Sequence, residues 1–175
     1  MDVFTIPCLY DNFSYLLIDE QSGSGIIVDP VEGWPLLVEI EKRGVSLAAL
    51  FCTHHHQDHC GGIEDITEEI SGVRVIGYHE DQSRIPGLTE GYRDGASIDV
   101  GPFSIEMLHT PGHTPGSMSM LVRQAGWAPI LLVGDMTYET ASLEKDIVPA
   151  TGDRDMLLAT FAKVRRLEKR LPGLE

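Results

Sequence analysis

Four histidines and one aspartate fall within the six residues from His54 to His59, which read His-His-His-Gln-Asp-His and follow Thr53. The chain has 7 histidines in 175 residues, so this density is far from a chance scatter. Imidazole and carboxylate groups are the usual protein ligands of zinc and iron. An apolar run at 47–52 comes directly before them and is typical of a buried strand. The sequence therefore predicts a metal site where this strand ends.

The spacing within the segment indicates which side chains share a metal. Residues two apart in an extended segment point to the same side, so His54 and His56 can converge while His55 points away. We expect His55 to pack against the ligands or to support them. Asp58 and His59 lie past the turn, from which they can reach a second position close by.

Three other places carry candidate site residues. The rigid loop Thr-Pro-Gly-His-Thr-Pro-Gly at 110–116 has His113 at its centre, and Asp135 ends the apolar run 130–133 after Gly134. Asp29 ends another apolar run, at 25–28. An aspartate before proline is a common turn former, so for Asp29 a turn role and a role in supporting a metal ligand both stay open.

Composition excludes some classes of function. The chain has 13 basic and 27 acidic residues and a formal net charge of −14, which opposes binding to a phosphate backbone. Three cysteines do not form a disulfide framework. We see no signal peptide and no apolar run of the roughly 20 residues that span a bilayer. We expect a cytoplasmic protein that binds a small molecule, with no nucleic-acid or membrane partner; the oligomeric state stays open.

The elements that must position these residues alternate between strands and helices. Apolar periodicity predicts a layered α/β fold in a single domain over 1–175. The segment 81–95 is predicted to be mostly loop. His79 and His109 lie outside the groups with ligand spacing, and Cys60 is a small residue at the start of a helix, so we expect all three to be structural. The predicted strands are 3–6, 15–19, 25–28, 47–52, 73–77, 96–100, 103–108, 117–122 and 129–133, and the predicted helices are 34–43, 61–70 and 153–170.

Taken in order, Thr-His-x-His-x-Asp-His, Thr-Pro-Gly-His-Thr-Pro-Gly and Gly-Asp resemble the motifs of the metallo-β-lactamase superfamily over nearly the whole chain. The opening Ile-Pro-Cys-Leu-x-Asp-Asn at 6–12 is similar to the glyoxalase II (hydroxyacylglutathione hydrolase) branch. Asp135-x-x-Tyr138 is similar to the acyl-homoserine lactonases. The resemblance implies an αββα sandwich with the metal site at one edge of two packed sheets.

The resemblance also implies roles for particular residues. The ligands of the first metal would be His54, His56 and His113; Asp58 and His59 would bind the second, with Asp135 bridging both. The cofactor would be zinc, as two ions, with iron or manganese as alternatives. Asp58 would orient a metal-bound hydroxide and Tyr138 would face the substrate carbonyl, so both are the expected catalytic residues.

Two departures from the superfamily pattern affect these expectations. The superfamily adds another histidine after the last helix, whereas every histidine here lies at or before His113, so we expect the domain to lack its final C-terminal segment. The glutathione-holding stretch of glyoxalase II has no counterpart here.

Together these features favour a metal-dependent hydrolase that cleaves a thioester, lactone or related ester by metal-bound hydroxide. One alternative is a mononuclear iron persulfide dioxygenase that uses His54, His113 and Asp135. Another is a metal-binding scaffold without turnover.

Overall fold

Apolar side chains of the central strands alternate between two buried faces, because successive side chains along a strand point to opposite sides of the sheet. Leu16 packs with the helices on one side, and Leu17 packs with a second sheet on the other. Leu50 and Phe51 divide in the same way on a neighbouring strand. The sheet that holds these strands is therefore covered on both faces.

A computed structural model describes residues 1–171 and 173–174 of the chain. These described residues form ten strands and five α-helices. The strands are β1 (Asp2–Cys8), β2 (Asn12–Ile18), β3 (Ser24–Val28), β4 (Ser46–Phe51), β5 (Arg74–Tyr78), β6 (Glu90–Tyr92), β7 (Ala96–Val100), β8 (Phe103–His109), β9 (Met118–Arg123) and β10 (Ile130–Leu132). The helices are α1 (Gly33–Arg43), α2 (Gln57–Cys60), α3 (Ile63–Glu69), α4 (Thr140–Glu144) and α5 (Arg154–Arg170).

Two sheets pack face to face between layers of helices. The first has the order β1-β2-β3-β4-β5-β6, antiparallel from β1 to β3 and parallel from β3 to β6. The second is antiparallel, with the order β10-β9-β8-β7. One apolar cluster joins α1 and α3 to the first sheet, a second lies between the sheets, and a third joins α4 and α5 to the end of β10. The predicted αββα sandwich is confirmed.

Most predicted elements are present, with ends shifted by one to three residues. Helix α1 ends at Gly44, whose φ of 63° places it in the left-handed region where glycine is favoured. Helix α5 begins after Asp153, whose Oδ1 accepts a hydrogen bond of 2.9 Å from the Met156 backbone N–H. The segment 81–95 is mostly loop as predicted, but it contains the short strand β6, which extends the first sheet. Within the described residues, no helix is long and apolar enough to cross a membrane.

An ion pair ties β6 to its neighbour β5. Arg74 Nη2 donates to Glu90 Oε2 over 2.8 Å, and the Tyr92 hydroxyl donates to the same oxygen over 2.6 Å. These two hydrogen bonds lower the pKa of Glu90 to about 2. Because the pKa of Glu90 is lower in the folded protein, its charged form stabilises the fold above the ordinary glutamate pKa. That contribution is lost as the pH falls towards 2.

We predict that Glu90→Gln lowers the free energy of unfolding at pH 7 by about 1 kcal/mol, because the Glu90 side chain is 32% exposed and solvent screens the pair. The difference from wild type should shrink below about pH 4.5. Urea unfolding of wild type and Glu90→Gln at pH 7, 5 and 4 measures this difference in the free energy of unfolding. Glu41→Gln, which removes an exposed carboxylate from α1, is the control. A difference that does not change with pH would contradict this account of the pair.

Candidate metal centre

The predicted ligand segments meet at one edge of the two sheets. Strands β3 and β4 end side by side, so Asp29 and the segment from Thr53 onwards begin at the same edge. The Met118 backbone N–H donates to Thr53 O over 2.7 Å and joins this segment to the second sheet. The loop 110–116, between β8 and β9, and the turn Gly134–Met136, after β10, complete the edge.

Three imidazoles from two distant segments face one another. His56 Nδ1 lies 3.1 Å from His54 Nε2 and 3.0 Å from His113 Nε2. A tetrahedral zinc ion with bonds of about 2.0–2.1 Å separates two nitrogen ligands by about 3.3 Å. The observed separations are close to that value. His54, His56 and His113 therefore form a donor set that fits a cation.

A second group shares His54 with the first and adds His59 and Asp135. Asp135 Oδ1 lies 3.3 Å from His59 Nε2, and its Oδ2 lies 3.6 Å from His113 Nε2. His59 Nε2 is buried and has no hydrogen-bond partner among the described residues. A buried, unpaired imidazole nitrogen beside a carboxylate is a donor set that fits a cation, and Asp135 stands between the two groups.

The two predicted catalytic residues border this cluster. Asp58 Oδ2 lies 3.9 Å from His59 Nε2 and accepts a hydrogen bond of 3.1 Å from Asn12 Nδ2. Tyr138 is largely exposed near the same carboxylates. Partial burial and the charges of Asp135, Asp58 and Asp11 raise its pKa, although a hydrogen bond with Thr151 opposes the shift.

Asp29 orients two of the histidines through a buried hydrogen-bond network. Its carboxylate accepts from the Thr53 backbone N–H over 2.7 Å, from Thr53 Oγ1 over 2.8 Å and from His59 Nδ1 over 2.9 Å. Because Thr53 Oγ1 donates its proton to Asp29, it accepts from His54 Nδ1, 3.0 Å away. Both rings are thereby fixed with Nε2 facing the cluster. Asp29 thus forms the turn after β3 and also holds the side chains of two candidate ligands, so its geometry is compatible with both roles that the sequence left open.

Asp29 and Gly134 both have a left-handed backbone conformation. Asp29 has a φ of 54°, which is uncommon outside glycine and costs free energy. Gly134 has a φ of 55°, and a Cβ there would lie 2.5 Å from Thr53 Oγ1. Only a glycine lets the end of β10 approach Thr53 this closely, which places Asp135 beside the histidines.

The pKa values of the cluster separate neutral imidazoles from a charged one. Burial and the charge on His59 lower the pKa of His54 to about 2, and burial also lowers the pKa of His113. Burial would lower the pKa of His59 too, but the neighbouring carboxylates of Asp135 and Asp29 raise it to about 10. His54 and His113 therefore offer lone pairs at neutral pH. The carboxylates stabilise the protonated ring of His59, which would release its proton to bind a cation.

The sequence did not identify Asp81, which contacts both loops that carry candidate ligand histidines. This fully buried carboxylate forms an ion pair with Arg84 and lies 3.5 Å from His55 Nδ1. Gly116 lies directly against it, with no room for a Cβ. The Nδ1 of His55 thus faces Asp81, while the His55 ring contacts the edge of the His56 ring at 5.1 Å. In the sequence, Asp81 is simply an acidic residue shortly after a strand, and nothing in its spacing indicates a contact with His55.

The remaining predicted structural residues make local contacts. His109 stacks on the Tyr78 ring at 4.5 Å, and its Nε2 lies 2.8 Å from Pro115 O. His79 lies beside the same tyrosine. Cys60 is buried and donates from Sγ to His54 O over 3.1 Å. These contacts position neighbouring segments and direct no further side chain into the cluster.

Comparison with known proteins agrees with the fold described above. The family model described as the metallo-beta-lactamase superfamily matches residues 10–171. A cytoplasmic hydroxyacylglutathione hydrolase of Arabidopsis thaliana is 36% identical over 140 residues, which cover 79% of this chain and 54% of that protein. A hydroxyacylglutathione hydrolase of Gloeothece citriformis is 39% identical over 114 residues, 65% of this chain and 44% of that protein. The chain spans about half the length of the curated relatives it matches.

Solved structures share the fold at low sequence identity. The B3 metallo-beta-lactamase BLEG-1 aligns with a TM-score of 0.77 and 22% identity, covering 98% of this chain and 87% of that one. A quorum-quenching N-acyl homoserine lactone lactonase aligns with a TM-score of 0.72 and 20% identity, covering 93% and 77%. At such identities these similarities establish the fold alone.

We predict that Asp29→Asn weakens zinc binding by about 10- to 100-fold, the usual effect of removing a carboxylate that orients a ligand histidine. The amide can accept one of these hydrogen bonds but loses the charge that holds His59 Nδ1. Competition with a chromogenic chelator measures the affinity.

Asp19→Asn is the matched control for this variant. Asp19 is another buried carboxylate, which accepts hydrogen bonds from Ser22 and Gln124 away from the cluster. Equal zinc affinity in wild type and both variants would show that Asp29 does not support a ligand.

Proposed function

This chain belongs to the metallo-beta-lactamase superfamily, and we propose that it is a metal-dependent hydrolase of a thioester, lactone or related ester. The observation that carries the proposal is the convergence of three imidazoles, since His56 Nδ1 lies 3.1 Å from His54 Nε2 and 3.0 Å from His113 Nε2. Asp135 lies beside them. Three neutral imidazoles bind a catalytic metal and leave a coordination position for water or substrate.

We assign six residues to metal binding. His54, His56 and His113 would hold one ion, Asp58 and His59 would hold the second, and Asp135 would bridge them. Zinc suits this mixture of imidazole and carboxylate, although iron and manganese accept the same ligands. When bound, such a cation supplies Lewis acidity and lowers the pKa of a coordinated water to about 7.

The protein side chains would orient the reactants around that chemistry. Asp58 is held by Asn12 and has a half-exposed side chain, so it can orient an attacking water or hydroxide. The raised pKa of Tyr138 keeps its hydroxyl protonated at neutral pH, so it can donate a hydrogen bond to the substrate carbonyl oxygen. We propose these two residues as the catalytic pair, within a single domain that binds a small-molecule substrate.

The curated relatives favour a thioester over the other acyl bonds. Their printed names describe hydroxyacylglutathione hydrolases, whose substrates are thioesters, and their identities of 35–39% exceed those of the solved structures. The likeness to the lactonase concerns the fold, so a lactone remains the second choice.

We predict that His56→Ala removes the first metal and lowers kcat/KM by more than about 100-fold, because a direct ligand contributes more than its supporting residues do. His79→Ala is the control, since His79 lies outside the cluster beside Glu80. Metal content by elemental analysis and turnover on thioester and lactone substrates should fall together in His56→Ala only. Retained turnover in metal-free His56→Ala would refute the proposal.

The same measurements separate the alternatives. Bound iron with oxygen consumption on a persulfide would favour the dioxygenase, with His54, His113 and Asp135 as ligands. Stoichiometric metal without hydrolysis of any ester, thioester or lactone would favour a metal-binding scaffold. Zinc with thioester or lactone hydrolysis supports the function proposed here.

A further inference from the structure

A groove of about 490 Å³ lies beside the candidate metal centre and shares Asp58 with it. One wall is the turn between β1 and β2, at Leu9; the other is the start of α1, at Trp34 and Pro35. Its volume lies within the usual range of small-molecule pockets. A ligand in this groove would therefore extend to the edge of the proposed reaction centre.

Large apolar side chains on the walls of the groove are exposed. Trp34 is 74% exposed and Leu9 is 58% exposed, although both border a concave surface. Val31 and Pro35 add further apolar lining. Exposed apolar side chains gathered in one concavity, next to a site of polar chemistry, are typical of a surface that binds an apolar group.

Hydrogen bonds hold the walls of this groove in place. The Leu9 backbone N–H donates to Glu32 Oε2 and ties the β1–β2 turn to the residue before α1. Asn12 Nδ2 donates to Asp58 O over 3.3 Å, in addition to its bond to the carboxylate. The groove is thus fixed from both sides, so little ordering of the protein would oppose binding.

The charge on the walls excludes one class of ligand. Glu32, Asp58 and Asp65 line the groove, and none of its described lining residues is a lysine or arginine. The printed sequence has no lysine or arginine at 1–41 or at 44–73, the segments that build these walls. The proposed second cation would balance the charge of Asp58, whereas a ligand carboxylate placed near Glu32 and Asp65 would meet repulsion without a compensating partner.

We propose that this groove binds the acyl chain of the substrate and selects an apolar, uncharged chain over one that ends in a carboxylate. This inference rests on the proposed hydrolase function and names its substrate class. Trp34 and Leu9 provide the apolar contact, and Asp65 and Glu32 provide the discrimination by charge. Asp58 marks the end of the groove at which the scissile carbonyl lies.

The first test varies only the acyl chain. Zinc-loaded protein is assayed on 4-nitrophenyl acetate, butanoate and octanoate, which share one leaving group. A fully buried methylene is worth roughly a fourfold gain in binding. Because the groove is open on one side, we expect kcat/KM to rise only about 10-fold from butanoate to octanoate. A flat or falling series would overturn the proposal.

The second test assigns this preference to Trp34. In Trp34→Ala, the ratio of kcat/KM on octanoate to that on acetate should fall about 10-fold, since most of the apolar wall is lost. Trp127→Ala is the matched control, because Trp127 is 51% exposed in a different surface cavity beside Pro102 and Pro129. An unchanged ratio in Trp34→Ala, or an equal fall in both variants, would contradict the assignment.

The third test addresses charge. 4-Nitrophenyl hemisuberate has the same chain length as the octanoate but ends in a carboxylate that is too distant to attack its own ester, so its kcat/KM should be about 10-fold lower. Asp65→Asn should raise kcat/KM on the hemisuberate relative to the octanoate several-fold, because it removes one repelling charge. Equal rates on the two esters in wild type would show that the walls do not select by charge.

Fluorescence separates failure of the groove from failure of the hydrolase function. The chain has two tryptophans, so Trp127→Phe leaves Trp34 as the single reporter and Trp34→Phe leaves Trp127. Titration with the neutral probe octanamide should shift the emission of Trp34 to shorter wavelength and leave Trp127 unchanged. A shift in Trp34 emission without any ester hydrolysis would support binding in the groove and refute the hydrolase function. Ester hydrolysis with no shift in Trp34 emission would support the hydrolase function and refute binding in the groove.

Discussion

The buried Asp29 carboxylate is the interaction on which the geometry of the candidate metal centre depends. It accepts three hydrogen bonds, two from Thr53 and one from His59, at the point where β3 and β4 end side by side. Through Thr53 it also fixes the ring of His54. Without this carboxylate, the two histidines could rotate, and the donor atoms that face the cluster would no longer be fixed.

The fold brings the other candidate ligands to the same edge of the two sheets. Two sheets that pack face to face share one edge, and the Thr53 carbonyl binds the Met118 N–H of the opposite sheet there. His113 and Asp135 both belong to loops of that second sheet. A cation at this edge would therefore link the two sheets, so metal binding should depend on their packing as well as on the ligands.

Much of this arrangement could be predicted from the sequence because it is encoded in local periodicity and motif spacing. Alternating apolar residues predicted the strands, and the separation of His54 from His56 by two positions predicted their convergence. The contacts of Asp81 could not be predicted, because His55 and Gly116 come close to it only in the folded chain. Strand β6 and helices α2 and α4 are too short to show a periodic pattern.

The groove also could not be predicted from the sequence, since Leu9, Trp34 and Asp58 come from three separate segments.

The proposed function depends on a cation held by imidazole nitrogen and carboxylate oxygen. X-ray absorption at the zinc edge of the zinc-loaded chain tests this most directly. The account predicts a nitrogen and oxygen shell at about 2.0–2.1 Å with imidazole scattering. A sulfur shell at about 2.3 Å, which would implicate Cys52 or Cys60, or a spectrum without imidazole, would contradict it.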